Sequence, residues 1–124
     1  NEFSKRTGIP CRITVKPEDM QLNADLSTAV FRIFQETLTN VSRHAQAKRV
    51  EVSLKLSCSE VRLVVKDNGK GITEEQMAKP DSFGLLGIRE RVSYWGGVVK
   101  IVGKKGKGTT VSIRIPYRDR SDSA

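Results

Sequence analysis

The sequence predicts an α/β fold: a mixed, mostly antiparallel sheet with helices packed on one face. Three observations predict it. Five short segments alternate apolar and polar residues, two longer ones repeat at helical spacing, and their order along the 124-residue chain is strand, helix, hairpin, long loop, helix, hairpin. Residues 11–15, Cys-Arg-Ile-Thr-Val, alternate as a half-buried strand does, and Pro17 stops the pattern. From Asp25 or Ser27, both good N-caps, Leu26, Ala29, Val30, Ile33, Phe34, Leu38 and Val41 recur with a helical period. Val50, Val52, Leu54 and Leu56, then Val61, Leu63 and Val65, each alternate with polar neighbours across a short turn and read as an antiparallel hairpin. Residues 67–83 hold no sustained period and read as a loop, with a helical turn near 74–78. Leu85, Ile88, Val92 and Trp95 return to helical spacing, and Gly96-Gly97 supplies the stop. Residues 98–102 and 109–115 are strands joined by Gly-Lys-Lys-Gly-Lys-Gly, and Pro116 closes the last of them.

Size and composition bound what such a fold can do. A chain of 124 residues with 37% hydrophobic residues forms one small domain able to bury its own core. We place that domain at 1–116 and expect 117–124 to be a disordered tail. The two cysteines, Cys11 and Cys58, have neither zinc-site spacing nor the density of a disulfide scaffold, so a reducing, cytoplasmic compartment is the default. No apolar run reaches the roughly 18 residues needed to span a bilayer, and no membrane contact is expected. The net charge of +8 fits a solvated basic surface, a polyphosphate ligand or a nucleic acid. Only 6% of residues are aromatic and several fall at core positions, which disfavours stacking on nucleic acid, so no direct nucleic-acid contact is expected.

Three segments could carry chemistry. On a helical wheel Glu36, Asn40 and Arg43 cluster at the border between the apolar and polar arcs, where side chains emerge at the edge of the core. A carboxylate and an amide one turn apart suit a hard cation such as Mg²⁺, although the same residues also fit an ordinary helix surface. Asp67-Asn68-Gly69-Lys70-Gly71 follows directly on a strand. It can aim an acceptor into a pocket, and it can equally be a turn chosen for its backbone conformations. Phe83-Gly84-Leu85-Leu86-Gly87-Ile88 opens the second helix, whose free N–H groups and dipole favour an anion, while its two glycines also fit plain packing. Neither a P-loop nor a dinucleotide fingerprint is present.

Taken together, the segments resemble the boxes of a histidine-kinase ATP-binding domain. Phe34-Gln35-Glu36-Thr37-Leu38-Thr39-Asn40-Val41-Ser42-Arg43-His44-Ala45 looks like the asparagine box and Asp67-Asn68-Gly69-Lys70-Gly71-Ile72 like the first glycine box. Phe83-Gly84-Leu85-Leu86-Gly87-Ile88-Arg89-Glu90-Arg91 looks like the second, and Gly108-Thr109-Thr110-Val111 like the opening of the last strand. The resemblance runs from about Cys11 to Pro116. It implies membership of the GHKL superfamily, with gyrase, the mismatch-repair ATPase and a heat-shock chaperone, and a two-layer α/β sandwich of the Bergerat type.

The same resemblance implies the roles. Asn40 would coordinate Mg²⁺ bridging the phosphates of ATP, with Arg43 and His44 helping to hold them; on the wheel His44 also fits a packed core position. Asp67 would accept from the adenine amino group, and Gly69, Gly71 and Ile72 would bring backbone close to the nucleotide. Gly84, Leu85, Leu86 and Gly87 would form the wall beside the phosphates, with Thr109 near the adenine through water. Glu36 matches the position where ATPase relatives carry a general base, and in a kinase it would position Mg²⁺ or its waters. The short lid at 72–83 looks like the subfamily whose response regulators carry LuxR-type DNA-binding domains. The single histidine lies inside the asparagine box, so the phosphoacceptor would sit on a separate dimerisation domain of the same parent kinase. The chain is thus expected to be a cytoplasmic catalytic fragment of a parent kinase whose membrane anchoring the sequence leaves open. A GHKL-type ATPase or an anti-sigma-like serine kinase is the alternative.

Overall fold

The computed structural model describes residues 5, 8–16, 24–40, 47–57, 59–73, 75 and 85–116. Its elements run β1 (Cys11–Lys16), α1 (Ala24–Asn40), β2 (Val50–Leu56), β3 (Glu60–Asp67), α2 (Leu85–Tyr94), β4 (Val98–Lys104) and β5 (Gly108–Pro116). The five strands form one sheet in the order β1-β2-β3-β5-β4. β1 and β2 are parallel, which requires a crossover, and α1 supplies it. The remaining neighbours are antiparallel, so the sheet is mixed and mostly antiparallel as the alternation predicts.

The helices lie on the face where the strands' apolar side chains are buried. Val61, Leu63 and Val65 of β3 and Val111, Ile113 and Ile115 of β5 are buried, while their alternating neighbours are not. α1 contributes Leu26, Val30, Ile33 and Leu38, and α2 contributes Leu85, Ile88 and Val92 to the same core. Each fully buried aliphatic side chain contributes about 1.5–3 kcal/mol. Thr37, only 1% exposed, fits this core because its Oγ1 donates to the Ile33 carbonyl at 2.8 Å.

Element ends follow local chemistry. α2 stops where the N–H groups of Gly96 and Gly97 donate to the carbonyls of Ser93 and Val92, each at 2.9 Å, with Gly96 at φ 73°. β4 and β5 extend further toward each other than the run of glycines predicts. Gly103 and Lys104 still pair with Thr109 and Gly108, which leaves a tight turn at 105–107. Glycine at 103 permits this, since a Cβ there would meet the Ile72 carbonyl. The expected tail at 117–124 and most of the expected turn at 74–78 lie outside the described residues.

Candidate nucleotide site

Asp67 is the last residue of β3 and has the parity of Val61, Leu63 and Val65, so its carboxylate lies on the helix-covered face. It is 5% exposed, one of two buried polar residues among those described. Burial raises its pKa above the ordinary 3.8, and the backbone N–H groups of Gly69 and Thr109 pull it partly back. The Gly69 N–H donates to Oδ1 at 2.8 Å. The adjacent Asn68 ties down the opposite side: its Oδ1 accepts from the N–H groups of Lys48 at 2.9 Å and Arg49 at 2.8 Å. Asp67 is thereby fixed from two directions.

The loop after β3 is clamped under the β4–β5 hairpin. The Ile72 N–H donates to Thr109 Oγ1 at 2.9 Å, and the Gly106 N–H donates to the Lys70 carbonyl at 2.8 Å. Gly71 has φ 80°, and a Cβ on it would run into the Lys104 carbonyl, so chain packing alone already requires glycine there. Gly108, at φ 117°, is pressed equally closely against the Asp67 carbonyl. Asp67, Gly69, Gly71, Ile72 and Thr109, separated by up to 42 positions in sequence, thus meet in one cluster.

A second cluster lies between the helices. Glu36 Oε1 accepts from Arg91 Nε at 2.7 Å, joining α1 to α2. Gly87 sits against the same carboxylate: a Cβ there would lie 3.6 Å from Glu36 Oε2. Glu36, Gly87, Arg91 and Arg32 line a groove of about 560 Å³, which Asp67 does not border. Asn40, one turn beyond Glu36, is the last residue of α1 and is half-buried. Leu85 is a core residue, 7% exposed, whereas Leu86 emerges at 45%. Arg43, His44 and Gly84 lie outside the described residues.

The sequence pattern missed two contacts within the candidate site. Asn68, read as a turn residue, orients the strand end that carries Asp67; Arg91, within the second glycine motif, holds Glu36. Their signal was the motif itself, but hydrogen-bond partners 19 and 55 positions away are invisible to local spacing.

Residues 25–119 match the family described as histidine kinase-, DNA gyrase B-, and HSP90-like ATPase. This chain belongs to that family. Among relatives of the ATPase domain, the sensor histidine kinase LiaS of Bacillus subtilis is 39% identical over 116 residues, covering 94% of this chain and 31% of that protein. DegS of the same organism, a signal transduction histidine-protein kinase/phosphatase, is 34% identical over 117 residues, covering 93% and 30%. The chain therefore spans about a third of the length of these relatives. Of solved structures, a mycobacterial sensor histidine kinase, MprB, superposes with a TM-score of 0.71 at 24% identity, covering 94% of this chain and 90% of that one. That likeness confirms the two-layer α/β fold of the family.

Proposed function

We propose that this chain is the ATP-binding catalytic domain of a sensor histidine kinase, which binds Mg·ATP and donates the γ-phosphoryl group to a histidine on a separate dimerisation domain. The observation that carries the reading is Asp67: a buried carboxylate at a strand end, locked by Gly69 and Thr109, in a family whose matched relatives are sensor kinases. A buried acceptor fixed in one direction selects a ligand that presents an N–H there, as the adenine amino group does. Gly69, Gly71 and Ile72 form the backbone floor beside it, and Thr109 braces that floor through Ile72.

Asn40 and Glu36 offer oxygen donors one helical turn apart, half-buried, in keeping with a Mg²⁺ ion that keeps several waters. Bound there, the ion would neutralise charge on the phosphates. Glu36 is already held by Arg91, so in this reading Asn40 would hold the ion directly and Glu36, through its other oxygen, would help position the ion or its waters. Arg43, His44, Gly84, Leu86 and Gly87 complete the phosphate end. Because catalysis in phosphoryl transfer is mainly positioning and charge neutralisation, none of these residues needs to exchange a proton.

The matched relatives rank the alternatives: they are sensor histidine kinases, which favours kinase over hydrolase or anti-sigma-like serine kinase. The remaining partners follow from the kinase reading: a response regulator reached through the dimerisation domain, of the kind with LuxR-type DNA-binding domains, in the cytoplasm. Among the described residues no helix is long and apolar enough to cross a membrane. Incubating the chain with labelled ATP, with and without a separately produced dimerisation domain, tests the proposal. Label should appear only in the added domain; phosphate release without transfer would favour the hydrolase.

A further inference from the structure

The sheet face turned away from the helices carries cations in register. Lys16 of β1 lies opposite Lys55 of β2, Lys55 opposite Arg62 of β3, and Arg62 opposite Arg114 of β5. At about 4.8 Å per strand this row spans about 14 Å. Arg12, Lys66 and Lys100 stand in the neighbouring rows of the same face, where Glu51 and Glu60 are the acids among the described residues. Like charges directly opposite one another destabilise a sheet. The ion pair on this face, Arg62 with Glu60 at 3.6 Å, is well exposed and offsets little of that. Fold stability therefore does not account for the row, whereas an anionic partner does.

The surface chooses among anionic partners. The middle of the face is Thr14, Ser53, Val64 and Ser112, small side chains with none of the large anchors that concentrate binding energy in a protein interface. Among the described residues it has no aromatic platform for single-stranded nucleic acid and no helix to enter a duplex groove. What it offers is a broad charged plane, edged by exposed Val98 (63%) in the same row and Val102 (44%) on β4. At the other end, Lys16, Lys55 and Arg62 outnumber the single acid, Glu60, around a groove of about 540 Å³ with Leu56 and Ser57 in its wall, large enough for a phosphate-bearing headgroup.

We propose that this sheet face docks the domain on an anionic lipid bilayer. The basic row would lie on the headgroups, Val98 and Val102 would enter the interfacial layer, and the nucleotide site would remain on the opposite, helical side. The proposal departs from the sequence expectation of solvated cations and no membrane contact. These residues are far apart in sequence, and only strand register aligns them.

Vesicle co-sedimentation of the 124-residue chain tests it, comparing phosphatidylcholine alone with phosphatidylcholine containing about one-third phosphatidylglycerol. Retention is expected on the anionic vesicles only, and it should fall steeply as salt is raised. At about a factor of five per cation near an anionic surface, Lys55→Gln with Arg114→Gln should weaken partitioning about 30-fold. Arg32→Gln with Arg89→Gln removes the same charge from the helical side and should change it less than about threefold. Equal sedimentation with both vesicle types would overturn the proposal, as would full retention of the Lys55/Arg114 variant. So would tighter binding of a duplex oligonucleotide or an acidic peptide with the same dependence on Lys55 and Arg114. The vesicle and salt comparisons on the unsubstituted chain keep the test decisive even if the double variant folds poorly.

Discussion

Replacing Asp67 by Asn separates ligand recognition from folding at one position. The two side chains have nearly the same shape, and an amide oxygen can still accept from the Gly69 N–H now 2.8 Å from Oδ1. What changes is the charge and the second polar atom, which becomes a donor. A hydrogen bond to a charged acceptor contributes about 1.5–3 kcal/mol, so ATP affinity measured by calorimetry should fall about 10- to 150-fold. A purine nucleoside triphosphate without the 6-amino group should bind the substituted and unsubstituted chains almost equally, because it has no donor to lose. Stability should move the other way. Since burial raises the folded-state pKa of Asp67 above 3.8, the folded chain binds that proton more tightly than the unfolded one. Ionising Asp67 therefore costs stability as pH rises from 3.8 through the folded pKa, and that cost is fully present at neutral pH. Urea unfolding should show Asp67→Asn gaining on the parent at pH about 7, with the advantage shrinking toward pH about 4. Unchanged ATP affinity, or an equal loss for the amino-free nucleotide, would refute the adenine assignment. An advantage that grew on acidification would refute the burial argument.

Other substitutions probe the rest of the site. Asn40→Asp adds a charge to the proposed metal ligand and should shift the midpoint of a magnesium titration of ATP binding; an identical titration would remove Asn40 from the metal site. Glu36→Gln should leave phosphotransfer within about tenfold, because the amide can still accept from Arg91, whereas a general base would cost about 10²–10⁴-fold in the single-turnover rate. Gly108→Ala forces a side chain to φ 117° and into the Asp67 carbonyl, and should cost about 3 kcal/mol or more in urea unfolding. A loss below about 1 kcal/mol would mean that strand end can yield.

Among the described residues, sequence periodicity located the five strands and the helices α1 and α2, since each reports one-sided burial of a local repeat. Its errors were at ends: β4 runs to Lys104 and β5 begins at Gly108, because pairing across the turn and the close approach of Ile72 to Gly103 outweigh the poor strand propensity of glycine. The motifs likewise single out Asp67, Gly69, Gly71 and Thr109 as site candidates, and these residues lie together in the fold. They could not show that Gly71 is required by the Lys104 carbonyl, that Asn68 anchors Lys48 and Arg49, or that Arg91 already occupies Glu36.

The amino-acid sequence by itself determined the family, the alternating pattern of the sheet and the identity of the buried acceptor, all of which are carried by residues close together in the chain. Only the tertiary structure decided which distant residues meet. The excess of basic residues shows the difference: composition gives +8 without direction, while strand pairing sets Lys16, Lys55, Arg62 and Arg114 in one row on the face opposite the helices. Charge is a property of residues, but a charged surface is a property of register, which is fixed by long-range hydrogen bonding and by burial of the other face.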